Sequence, residues 1–317
     1  MSCSLLVGVA ASAEELKIYL KTTPALEFLR PFADPVTMSL LVTRADGRPL
    51  ERGSVGIVLD APKSGAFLST DFPVVENSRL LELALPLRQG RAGWKYLFPI
   101  RGDYRLSVNV VGSDGTKTAK NFVIPVLEDR TKWLSLGLFC AALFILGFTA
   151  GRIFTAAPAT MTTAWLIFSC LVTAVSGHDG PVSVENFAPP PTALEIAAAT
   201  VGKPTQLRWR APDGGAASTL LSISITHLEK HKMVFAVDNV PVDKDYLLDF
   251  QFPDGAEYRV NSIAQFPGRG PLRTEQLVAV TGVEPPMAAQ VPALALFLAI
   301  IALGLGAGRF SKILAAR

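Results

Sequence analysis

One short pattern occurs twice and limits what this chain can fold into. Residues 146–153 read LGFTAGRI and residues 303–310 read LGLGAGRF. Each closes a long apolar run. Each carries two glycines four apart, Gly147 and Gly151 in the first and Gly304 and Gly308 in the second, followed by Arg152 or Arg309. A second pair of matches lies upstream. FPIRGDYRL begins at Phe98 and FPDGAEYRV at Phe252, a shift of 154 positions, whereas the glycine pairs are shifted by 157. Two blocks in one order with nearly one offset predict a duplicated unit, an extended domain followed by a membrane helix.

The apolar runs carry that expectation. Trp133–Gly151 holds nineteen residues without a charge. At 1.5 Å per residue a helix of that length reaches about 28 Å, close to a hydrocarbon core of ~30 Å. Ala288–Gly308 is likewise free of charge. The whole chain is 50% hydrophobic and 18% charged, with a mean hydropathy of +0.35. Soluble domains carry about a quarter charged residues, so this balance points to a membrane protein with sizeable soluble parts. A net charge of +3 gives no ground for a nucleic-acid partner. Cys3, Cys140 and Cys170 all sit in apolar runs, which argues against a disulfide framework or a cysteine zinc site.

Between the runs the chain reads as β structure. Residues 14–130 contain LKIYLKT, PVTMSLLVT, SVGIVLDA, RLLELALPL, WKYLFPI, YRLSVNVV and NFVIPVLE, separated by turn residues such as Asp46-Gly47 and Asp114-Gly115. In YRLSVNVV the residues Tyr104, Leu106, Val108 and Val110 share one face, the period of a half-buried strand. Residues 178–285 repeat this character with QLRWRAP, TLLSISITHL, KMVFAVDN, YLLDFQFP and YRVNSIA. Leu221, Ile223, Ile225 and His227, then Met233, Phe235 and Val237, keep one parity across the charged break at Glu229–Lys232. The predicted fold is mainly β with transmembrane helices, as two immunoglobulin-like β-sandwich domains and three spans.

The remaining segments complete the layout. Residues 1–13 end in Ala-Ser-Ala and read as an export signal or anchor. Residues 131–153 form the first expected span and 286–310 the third. Residues 154–177, containing MTTAWLIFSCLVTAVSG, form a second, signal-like span that returns the chain across the membrane. Residues 311–317 form a cytoplasmic tail. Arg152, Arg309, Lys312 and Arg317 favour the cytoplasmic side, which puts both β domains outside a bacterial inner membrane, in the periplasm.

Two sets of residues are candidates for function. Gly147, Gly151, Gly304 and Gly308 form small-xxx-small notches that let helix backbones approach, whether to each other or to other integral membrane subunits in the bilayer. His227, His231 and Met233 offer imidazole and thioether ligands, a donor set that suits copper. Arg101-Gly102-Asp103 spells an adhesion tripeptide but stands where a turn must precede a strand. No cluster of catalytic residue types is recognisable, so an enzyme is not expected.

The stretch ITHLEKHKMVFAVDNVP, with FQFPDGAEYRV after it, resembles the YtkA-like/FixH-like group. The resemblance rests on His227, Glu229-Lys230, Met233 with its apolar strand, and Phe252-Pro253 with Tyr258-Arg259; the first domain matches it only through FPIRGDYRL. It implies an extracytoplasmic, membrane-tethered β-sandwich, in some members linked to copper handling or oxidase assembly. That family's copper-associated pattern has a histidine just after the methionine, where this chain has Val234. The expected role is a structural or interaction subunit of a respiratory or photosynthetic membrane complex. The alternative is a copper-binding accessory protein for assembly of a membrane metalloenzyme.

Overall fold

A computed structural model describes residues 16–65, 69–153, 193–211, 219–285 and 287–315. The expected signal at 1–13, the span at 154–177 and His178 lie outside the described residues.

The first β stretch forms β1 (Lys17–Thr23), β2 (Val36–Thr43), β3 (Arg52–Asp60), β4 (Arg79–Arg88), β5 (Arg91–Tyr96), β6 (Gly102–Gly112) and β7 (Lys117–Val126), followed by α1 (Arg130–Ile153). The second forms β8 (Leu194–Ile196), β9 (Thr205–Arg210), β10 (Thr219–His227), β11 (Lys232–Val242), β12 (Asp245–Phe250), β13 (Glu257–Gln265) and β14 (Leu272–Ala279), followed by α2 (Met287–Ala315). Strands β8 and β14 have no counterpart in the sequence reading. The first is three residues long, and the second, LRTEQLVA, buries little of either face.

All pairing between named strands is antiparallel, and the two halves pair by one scheme. In the first, β1 pairs β2 and β2 pairs β5, while β4 pairs β3, β3 pairs β6 and β6 pairs β7. In the second, β8 pairs β9 and β9 pairs β12, while β11 pairs β10, β10 pairs β13 and β13 pairs β14. Alternation is clearest in β6. In β6 the inward set Tyr104, Leu106, Val108 and Val110 is buried and the intervening residues face out.

The halves do not stand apart as separate heads. Strand β5 pairs β11, with Tyr96 opposite Phe235 and Lys95 opposite Ala236. Strand β4 pairs β12, with Leu83 opposite Leu248 and Leu81 opposite Phe250. Each contact joins the same two kinds of edge, so the 14 strands run as two arrays that both cross from one half to the other. One order is β1-β2-β5-β11-β10-β13-β14 and the other β7-β6-β3-β4-β12-β9-β8; the Arg88–Arg91 pair at the β4–β5 turn links them. Four apolar edges that would invite aggregation are covered by each other. Rings from the two arrays meet in the interior: Phe250 lies 6.4 Å from Tyr96, 5.8 Å from Phe235 and 5.1 Å from Phe252 between centroids.

The parity expected along β10 and β11 slips. The register shifts between Leu221 and Ile223 and again between Ile225 and Thr226, and Val234–Val237 are all buried. Bulges absorb the extra residues. At the other end of the chain, the helix expected to stop at 310 continues to Ala315. Ser311-Lys312-Ile313-Leu314 contains no glycine or proline to end it.

Candidate functional site

Among the described residues two helices are long and apolar enough to cross a membrane, and they pack on each other. Their contact is made by the four glycines. A Cβ added at Gly147 would lie 2.5 Å from the Ile301 carbonyl oxygen and 3.3 Å from Gly304 Cα. One at Gly151 would meet the Leu305 backbone, one at Gly304 the Phe144 carbonyl, and one at Gly308 the Phe148 carbonyl. No side chain fits at any of the four, because backbone fills the space where it would begin. Gly306, out of this register, has nothing within 4 Å. Above the notch Phe139 and Phe297 meet edge to face at 5.3 Å, and below it Lys312 Nζ donates to the Arg152 carbonyl oxygen at 3.2 Å. Partner numbers rise together along both helices, so α1 and α2 run parallel. The contact occupies one stripe of each. Most other apolar side chains face outward, among them Leu134, Leu138 and Ile145 on α1 and Leu298, Leu303 and Phe310 on α2.

The start of this pair is tied to the β3–β4 connection. Lys132 Nζ reaches Asp71 Oδ2 at 2.5 Å and Glu128 Oε1 at 3.4 Å, and Ser69 Oγ donates to the Ala289 carbonyl at 3.3 Å. One segment thus holds the first turns of both helices.

The histidine region is built differently from a metal site. His227 ends β10 and is buried. Its Nδ1 accepts from the Lys230 backbone N–H at 3.3 Å, and its Nε2 lies 3.2 Å from Asp254 Oδ2. A neutral ring with its proton on Nε2 satisfies both contacts. Met233 stands opposite Thr226, the neighbour of His227 on β10, so it projects from the other face. His231 is exposed at the hairpin tip with φ of 51°. The three do not converge, and among the described residues no three His, Cys, Asp or Glu side chains gather to hold a metal.

What gathers instead is an ionic cluster around Asp254, a residue the sequence reading did not select. Asp254 Oδ2 accepts from Lys230 Nζ at 2.5 Å, and Oδ1 accepts from the Tyr258 hydroxyl. Burial works against its charge, but the Lys230 ammonium and the Tyr258 hydroxyl outweigh that and hold the carboxyl below the ordinary value. Burial first, then the neighbouring Asp254 charge, pushes Tyr258 far above the usual phenol range. The cluster also ties the two halves together. Lys230 Nζ sits 4.0 Å above the Phe32 ring, and Lys232 Nζ donates to the carbonyls of Phe32 and Ala33 at 2.5 and 2.7 Å. The signal for Asp254 was the offset of 154, which sets it against Ile100. There the Tyr104 hydroxyl donates to the Ile100 carbonyl at 2.6 Å and accepts from the Ile100 N–H at 2.9 Å.

No protein-family model matches the chain, and no curated protein matches its sequence. Among solved structures, dimeric latent PorU from Porphyromonas gingivalis is similar over 89% of this chain and 22% of its own, at 9% identity and a TM-score of 0.22. A 1.5-MDa bacterial ice-binding adhesin is similar over 86% and 66%, at 10% identity and 0.25. A two-domain fibronectin type III segment of chicken tenascin is similar over 84% and 98%, at 9% identity and 0.20. The chain thus spans under a quarter of PorU and about two thirds of the adhesin structure. Superpositions this loose assign neither a family nor an activity.

Proposed function

We propose that this chain is a structural or interaction subunit anchored in a bacterial inner membrane, with both β halves periplasmic and the C-terminus cytoplasmic. The observation that carries the reading is the parallel α1–α2 pair. Glycine-to-glycine packing consumes one stripe of each helix and leaves the remaining apolar faces for lipid and for helices of other membrane subunits. The parallel run of the two helices, each preceded in sequence by a β half, supports the reading in which the chain crosses the bilayer once more between them. Arg152, Arg309 and Lys312 lie at one end of the pair, as the cytoplasmic side prefers. At the other end Lys132 is neutralised by Asp71 and Glu128.

A duplicated immunoglobulin-like origin is part of this reading. Its support is the shared pairing scheme and the tyrosine placed alike in both halves, Tyr104 and Tyr258, each bonded back to the residue four before it. The resemblance of the second half to the YtkA-like/FixH-like group fits an extracytoplasmic, tethered position.

Mild-detergent purification of the full chain, followed by native mass measurement, tests the role. A stoichiometric complex with other integral membrane proteins is expected; a monodisperse lone chain in the same detergent overturns it. Orientation is read by impermeant maleimide on intact spheroplasts. Lys117→Cys is expected to label at once and Lys312→Cys only after permeabilisation.

A further inference from the structure

We propose that the groove between the β4–β5 hairpin and the bulge of β11 binds a phosphate oxyanion, free or carried by a small solute, through Arg88 and Arg91. The groove opens where strands part. Strand β5 pairs β11 only at Tyr96–Phe235 and Lys95–Ala236, and β4 pairs β12 only from Leu81 to Leu83. Beyond those pairs lies a cavity of about 100 Å³, walled by Arg88 and Arg91 on one side and by Asp238 and Asn239 on the other. That is room for several waters or for one small oxyanion. The hairpin sets Arg88 directly opposite Arg91, and β3 sets Arg52 directly opposite Arg88. Like charges in facing register positions destabilise a sheet. All three arginines are exposed, and among the described residues none of the three has an ion pair. An anion between the two guanidiniums removes the repulsion, and each planar fork offers it paired donors. Two cations with a third behind them suit a doubly charged group, which near neutral pH is phosphate or its monoester. The opposite wall is fixed: Asn239 has φ of 55° and donates its N–H to Ser222 Oγ at 3.0 Å. The exposed Asp238 carboxylate on that wall weakens the hold on an anion. Pro86 and Pro241 also line the groove, and neither offers the N–H that an added strand would need. A small ligand fits there and a strand does not.

The site lies among the β strands and does not rest on the membrane reading. The full chain, in a phosphate-free maltoside detergent, is dialysed to equilibrium against labelled inorganic phosphate or glycerol 3-phosphate, and its thermal unfolding is followed with each. Saturable binding at one site per chain is expected, with an unfolding midpoint that rises as the ligand fills it. Arg88→Gln and Arg91→Gln are each expected to weaken binding about tenfold, the worth of one charge-assisted contact, and to make unfolding without ligand no easier. Asp238→Asn is expected to tighten binding. Arg48→Gln changes an exposed arginine that pairs with Asp46 outside the groove lining, and leaves binding as it was. Whichever ligand binds more tightly names the free anion or the ester as the source. The wild type alone also decides: sulfate is expected to displace the label, and chloride at the same ionic strength is not. Absence of saturable binding overturns the site. So does binding that chloride abolishes as well as sulfate does, that both arginine variants retain, or that Arg48→Gln weakens equally.

Discussion

Tyr96 and Phe235 face each other in antiparallel register, one from each half of the chain, and Phe250 packs on both. The β4–β12 contact repeats the relationship with strand roles exchanged, so each half covers the other's open edges twice.

Such interleaving predicts one unfolding transition for the β strands, not two. Phe250→Ala removes the ring shared by both halves and is expected to cost about 3–5 kcal/mol. Hydrogen exchange followed by mass spectrometry reads the outcome. Protection of β6 and of β13 falls together in the variant, whereas independent heads would lose protection only in β13.

The glycine contact predicts that size, not polarity, governs the helix pair. Gly151→Leu or Gly308→Leu forces a side chain into backbone and is expected to separate the helices at a cost of about 1–3 kcal/mol, while Gly306→Leu is tolerated. Oxidative cross-linking between Phe139→Cys and Phe297→Cys, in a chain otherwise free of cysteine, measures it. The cross-link forms with Leu at 306 and is lost with Leu at 151.

The two tyrosines predict unequal effects. Tyr104→Phe leaves the backbone of Ile100 short of its partner and is expected to cost about 1 kcal/mol, the ordinary worth of a neutral hydrogen bond. Tyr258→Phe removes a bond to a carboxylate and is expected to cost about 1.5–3 kcal/mol. Denaturant unfolding of both variants compares them, and equal losses count against a charged partner for Tyr258.

Much of this was legible beforehand, and the part that was not has a physical cause. The glycine pairs stood out because a helix shows its contact stripe as a period, and two copies gave the same period. Tyr104 and Tyr258 stood out by fixed spacing from Phe98 and Phe252. The pairing of Tyr96 with Phe235 was not readable, because alternation says which face of a strand is buried and nothing about which edge is covered. The bulge at Val234 broke the parity that grouped His227 with Met233, and that grouping suggested a metal. Asp254 sits in a turn without periodicity, and its partners Lys230 and His227 come from another hairpin.

Acid is expected to weaken the chain through Asp254. Its folded carboxyl titrates below the ordinary value, so the unfolded chain takes up the proton first as pH falls. The stabilisation is complete above the unfolded pKa of about 3.9 and is lost as pH drops through the folded value. Asp254→Asn removes the charge that Lys230 and Tyr258 share, and should cost about 2 kcal/mol at pH 7. The gap between wild type and variant should stay constant from pH 7 to about pH 5 and close below about pH 4, because protonated Asp254 resembles the asparagine. Urea midpoints across that range measure the gap. A gap that widens toward acid, or that Lys230→Met leaves unchanged, would refute the assignment of the Asp254 charge as the one that holds the β10–β11 hairpin to the turn at 254.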